Sequence, residues 1–245
     1  MAEWSDPRVA QTGAGVTIDG KPVAGAAIDA GLRAHMLKVY NYMASGVLLT
    51  GIVAMLFANS GMAAQVMATP LRWVLIFAPL AFVMVMSFGM HKLSTASLQA
   101  MFWGFAIVMG LSMSSIFLVF SGESIARTFF VTAAAFAGLS LYGYTTKKNL
   151  SGFGTFLIMG VIGLLIASVV NIFLGSSTLQ LVVSFLGVLI FAGLTAYDTQ
   201  RIKSEYVHFA GHESIGKLAI MGALSLYLDF INMFQFLLSF LGNRE

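Results

Sequence analysis

Charge is the scarcest commodity in this sequence. Lys and Arg number 13 and Asp and Glu 10 in 245 residues, so 9% of side chains are charged, against the ~25% of an ordinary soluble domain. A soluble chain of 26.2 kDa could not cover its surface with so few charges without exposing apolar patches that aggregate. Cysteine is absent, which excludes a disulfide framework, a thiolate metal site and a cysteine nucleophile. The net charge of +3 and pI near 9.2 come from basic residues spread thinly along the chain, too sparse for a nucleic-acid surface. What fills the space is apolar: 58% hydrophobic residues and a mean hydropathy of +0.89. This composition describes an all-α integral membrane protein.

Uncharged runs cover 39–71, 73–91, 93–122, 128–146, 149–197, 218–228 and 230–243. One crossing of the hydrocarbon core takes about 20 residues, so the longest run must hold two, divided at Gly175-Ser176-Ser177-Thr178. Seven transmembrane helices follow, near 39–58, 73–90, 98–120, 127–144, 153–174, 179–198 and 218–240. Pro79 falls inside the second and is expected to kink it. Gly104, Gly110, Gly160, Gly163, Gly187 and Gly193 read as close helix-packing positions. Residues 1–38 hold eight charges and no early apolar run of a secretory signal. They read as a polar N-terminal tail ahead of a membrane domain at 39–245.

Sorting basic residues by side orients the chain. Arg8, Lys21, Arg33, Lys38, Lys92, Lys147, Lys148, Arg201, Lys203 and Lys217 fall on one side, Arg72, Arg127 and Arg244 on the other. Because Lys and Arg accumulate in cytoplasmic loops, the expectation is an N-terminus inside and a C-terminus outside.

Two acidic residues lie where lipid should forbid them: Asp198 and Asp229. A charge at the bilayer centre costs about 2.5–3.5 kcal/mol even on the lenient insertion scale. Each extends a stripe of polar and small residues at helical spacing: Ser184, Gly187, Thr195 and Asp198 on the sixth span, Gly222, Ser225, Asp229, Asn232 and Ser239 on the seventh. If the carboxylates meet, they cannot both ionise cheaply and should titrate in coupled steps. That makes a proton-sensitive gate or a weak, transit-type cation site, to which calcium is best suited. The alternative is a structural tie between helices. Drawn as above, Asp198 ends its span while Asp229 lies about 16 Å into the next, so they meet only if the last span starts later or the sixth sits deeper. An intramembrane aspartyl protease also uses two aspartates, but Asp229 follows Leu226-Tyr227-Leu228 and lacks the Gly-x-Gly-Asp element, so no enzyme is expected. Met84, Met86, Met90 and His91 read as packing, and Arg201, Lys203, His208, His212 and Lys217 as a cytoplasmic loop with an affinity for anionic lipid or a protein partner as the alternative.

The stretches Thr195-Ala196-Tyr197-Asp198-Thr199-Gln200-Arg201-Ile202-Lys203 and Ala223-Leu224-Ser225-Leu226-Tyr227-Leu228-Asp229-Phe230-Ile231-Asn232-Met233-Phe234 resemble the Bax inhibitor-1 (transmembrane Bax inhibitor motif) family. Residues 28–33 and 36–43 look like its bacterial branch, and the resemblance covers about 28–241. It implies six helices around a central seventh, a bacterial inner-membrane location, and a pH-sensitive calcium leak with Asp198 and Asp229 as ion pathway, pH sensor and transient calcium ligands. Thr195, Tyr197, Ser225, Tyr227 and Asn232 are the expected supporting polar residues. The resemblance further implies a basic latch at the cytoplasmic end of the second helix. Some relatives carry Arg there; this chain has His91 and Lys92, either of which is the candidate gate latch. Bacterial relatives also include proteins that restrain a membrane-anchored ATP-dependent protease, a non-channel role for which the N-terminal tail would be the contact. No cofactor is expected beyond calcium as the permeant ion.

Overall fold

The computed structural model describes the backbone of residues 17–18, 21–22 and 25–243, and side chains from residue 29 to 243. Thr17–Ile18 and Lys21–Pro22 pair as a short antiparallel ladder, β1 and β2. Eight helices follow: α1 Gly25–Asn59, α2 Met62–Met67, α3 Leu71–Gly89, α4 Thr95–Met113 with a 3-10 extension Ser114–Leu118, α5 Gly122–Thr145, α6 Ser151–Leu174, α7 Ser177–Phe209 and α8 Ile215–Leu241. All but α2 are long and apolar enough to span a membrane, giving seven spans.

Local chemistry explains the boundaries. Ser94, Ser121 and Ser176 cap α4, α5 and α7, each hydroxyl accepting a backbone N–H from three residues on, which satisfies one of the donors a helix start leaves free. Gly175 breaks the 149–197 run because its φ of +59° is a left-handed conformation that costs glycine nothing. Pro79 lies within α3, which continues through it.

Two helices are longer than expected. α1 begins at Gly25, well before residue 39, and α7 runs past Asp198 to Phe209. At 1.5 Å per residue they reach about 50 Å, beyond the ~30 Å hydrocarbon core. Their extensions pack together: His35 is buried, its ring centroid 5.0 Å from that of Tyr206, and the Tyr206 hydroxyl lies against Gly31 where any side chain would collide. The stretch 29–38 therefore belongs to a helix, with Leu32 and Met36 in the core.

α8 is the most deeply buried helix. It packs against α7, α1, α5 and α4, while α3 leans mainly on α4 and α6 on α7. The central seventh span is thus seen directly, with four helices closely against it and two further out. Gly143 brings α5 onto the backbone of α7 at Ala196, the close approach that small residues allow when lipid supplies no hydrophobic force between helices.

Candidate functional site

α7 and α8 run antiparallel in the centre of the bundle, and their facing stripes form one polar seam. Asp198 lies eleven residues before the end of α7 at Phe209, and Asp229 fourteen residues after the start of α8 at Ile215. Those offsets correspond to similar depths of about 16 and 21 Å, so the sixth span does sit deeper than its uncharged run suggests. Asp198 is 8% and Asp229 4% exposed, and the two are close enough for their charges to interact. Oδ2 of Asp229 is buried without a hydrogen-bond partner, an arrangement a protein seldom leaves without a proton, water or ion to satisfy it.

The basic group at the pair is Arg201. Its Nη2 is 3.4 Å from Asp198 Oδ1 and its Nε 3.5 Å from Glu205 Oε1. Nη2 also donates to Ser225 Oγ on α8 at 2.9 Å, and the guanidinium sits 5.9 Å from the centre of the Tyr197 ring. His91 and Lys92 are both exposed. Neither is joined to the aspartates by an ion pair among the described residues, so the latch expected there is not seen in this conformation. The spacing Asp198-x-x-Arg201-x-x-x-Glu205 is the i, i+3 and i, i+4 pattern of ion pairs on one helix. Ending the sixth span at 198 hid it by placing Arg201 in a loop.

The supporting residues divide. Ser225 reaches the pair through Arg201. Thr195, fully buried, donates to Phe191 O at 2.8 Å, and Asn232 to Leu228 O at 2.8 Å; both satisfy their own helices on the seam. Tyr197 covers Gly154 of α6. Tyr227 points elsewhere: its hydroxyl donates to Thr50 Oγ1 of α1 at 2.6 Å, and Thr50 donates to Ala106 O of α4 at 2.8 Å. It is a structural tie among three helices.

Away from Arg201 the seam ends in a second polar cluster. Ser184 Oγ donates to Gln180 O at 2.8 Å and lies 3.0 Å from Ser239 Oγ, which also accepts from Gln180 Nε2 at 3.2 Å. Gln180 and Ser239 line a cavity of about 450 Å³ with Asn171 and Ser176. Between cluster and aspartates, the Phe236 ring fills the space over Gly187 and stacks on Phe191 at 5.8 Å. The seam is therefore polar at both ends, acidic in the middle and closed on one side by aromatic rings. Among the described residues no three His, Asp or Glu converge on a metal-binding point; Asp198 and Asp229 alone could offer carboxylate oxygens to a passing cation.

The sequence has relatives. The chain is 50% identical to an uncharacterised protein of Caulobacter vibrioides over 89% of its length and 92% of that protein's. It is 46% identical to inner membrane protein YbhL of Escherichia coli K12 over 88% of its own length and 94% of YbhL's, and 46% identical to a Rickettsia prowazekii protein over 89% and 92%. The family described as Inhibitor of apoptosis-promoting Bax1 matches residues 32–245, a span that includes both aspartates and every helix from α2 onward. With seven apolar helices around this seam, the chain is an integral inner-membrane protein and belongs to the Bax inhibitor family.

Proposed function

We propose that the protein is a calcium-permeable leak pathway, gated by proton exchange at Asp198 and Asp229. The observation that carries this reading is a pair of interacting, buried carboxylates on facing helices within the membrane, one oxygen unpartnered. Intramembrane acids are costly and mark ion or proton paths, and two that feel each other's charge exchange protons as a unit. With a proton between them the pair is poor at attracting a cation; with both ionised it offers hard oxygen ligands of the kind calcium accepts. Two carboxylates hold such an ion weakly, as a leak requires. Arg201 competes with the cation for Asp198, which makes it the latch in this reading, in place of His91 or Lys92. The Phe236–Phe191 stack over Gly187 is the constriction. The reading assigns no catalysis. It places the N-terminus inside, because seven spans put Lys92, Lys147, Lys148 and Lys217 on the N-terminal side.

Purified protein in liposomes loaded with a calcium dye tests it. Flux should vary across pH 5–8 and be lost or fixed at one level in Asp198→Asn with Asp229→Asn. No flux at any pH, or a double variant that leaks and titrates unchanged, refutes the pore.

A second reading, a regulator that binds a membrane-anchored protease, is favoured by the joined extensions of α1 and α7 beyond the bilayer. Deleting residues 1–27 would abolish regulation while leaving any flux intact; loss of flux with retained regulation refutes it.

A further inference from the structure

α1 and α5 flank one side of the bundle without packing side by side. Near their ends on the N-terminal side of the membrane a groove of about 540 Å³ opens between them. Its floor is Tyr40 and Ser140, whose hydroxyls meet at 2.6 Å. Ser140 is in turn 3.0 Å from Thr199 Oγ1 of α7. Its walls are apolar: Met36 and Leu37 from α1, Phe136, Ala137 and Leu141 from α5. Its mouth carries the exposed Arg33 opposite Tyr144. Behind Tyr144, Lys203 Nζ donates to the Tyr144 carbonyl at 2.9 Å and lies 5.1 Å from its ring centre. Neither cation has an acidic partner among the described residues; Asp29, one turn before Arg33, is exposed and makes no ion pair with it.

The other half of the same cleft is different. There a cavity of about 400 Å³ is lined by apolar side chains and Thr50, with no charged residue. A trough from Tyr144 to Phe136 is about 12 Å long at helical rise, parallel to the lipid tails, and cationic only at the end where headgroups sit.

We propose that this groove binds one anionic diacyl phospholipid, its phosphate at Arg33 and an acyl chain along Leu141, Ala137 and Phe136. The charge complementarity selects the headgroup, and the apolar trough requires the chain. The site does not depend on whether the protein conducts ions.

Native mass spectrometry of the full chain in detergent, titrated with phosphatidylglycerol or phosphatidylcholine of identical chains, reads it directly. Phosphatidylglycerol should bind tighter by about fivefold or more, the contribution of one basic side chain at an anionic surface. Arg33→Gln should erase that preference without changing the melting temperature, since Arg33 is exposed. Ala137→Phe should fill the trough and weaken both lipids. Lys38→Gln, on the far side of Leu37, should leave the preference intact. Glycerophosphoglycerol, the headgroup without chains, should not compete. The proposal is overturned if Arg33→Gln keeps the preference, if the free headgroup competes as well as the lipid, or if lipid binds only after residues 1–24 are removed. That last result would make the chain's own N-terminal segment the occupant.

Discussion

The Tyr227–Thr50–Ala106 relay makes a prediction whose sign depends on the direction of each hydrogen bond. Thr50 is 2% exposed and Tyr227 fully buried, with Tyr227 edge-on to Phe102 and Phe105. Thr50 gives its only proton to Ala106 O, so the Tyr227 hydroxyl must be the donor to Thr50. Tyr227→Phe removes one interhelical bond and leaves Thr50 satisfied; such bonds contribute about 0.6–1.7 kcal/mol in membrane proteins. Thr50→Val loses that bond and its own bond to Ala106 O, and it also strands a buried phenol, which costs a further ~1–3 kcal/mol. In the double variant the stranded group is gone but both bonds are lost, so it should lie below Tyr227→Phe by about one interhelical bond, ~0.6–1.7 kcal/mol, and above Thr50→Val alone. Tyr227→Phe therefore rescues Thr50→Val. Reversible SDS unfolding in mixed micelles, followed by circular dichroism, measures all three. If Thr50→Val costs no more than Tyr227→Phe, or if the two losses simply add, the assigned donors are wrong and Tyr227 is not the tie described.

Other substitutions probe the seam and its supports. Arg201→Met should cost about 1 kcal/mol, the low end for an ion pair because the arginine side chain is 36% exposed; adding Asp198→Asn should recover part of that loss in the same unfolding assay. Phe236→Ala should lose about 2 kcal/mol, half of what a fully buried ring contributes, because Phe236 is only half-buried. It should also raise calcium leak in liposomes, whereas a tighter membrane would contradict the constriction. Gly143→Ala pushes a methyl group into the Ala196 backbone and should destabilise by about 1–3 kcal/mol, with Gly138→Ala, which meets nothing, as the neutral control.

The number of spans and the identity of the acidic pair were legible because both depend on where charge is missing. The seven spans drawn from the uncharged runs, with 149–197 divided in two and 218–228 joined to 230–243 across Asp229, become seven helices, and Asp198 and Asp229 face one another. What misled was using charge to end helices as well as to find them. Arg201, Lys203 and Glu205 continue α7 beyond Asp198, since nothing prevents a helix from leaving the bilayer with charges on its turns. The same reasoning placed Arg33 and Lys38 in a tail when they lie on α1. Tyr227 was legible as buried but not as belonging to a different contact: it is two residues from Asp229, and positions two apart on a helix point in different directions. The Phe236 ring over Gly187 could not be read at all, because Gly187 announces only that something comes close.

The seat of Tyr206 on Gly31 couples two helices at a point outside the lipid. Tyr206 stands two turns beyond Asp198 on the same unbroken helix, roughly 12 Å further along, and its hydroxyl lies against Gly31 of α1. Under the proposed gating, a shift of α7 at the aspartates would press on the start of α1 at this contact. Under that gating, a change at the carboxylates would then be readable on the N-terminal side, where a soluble molecule could detect it without entering the bilayer.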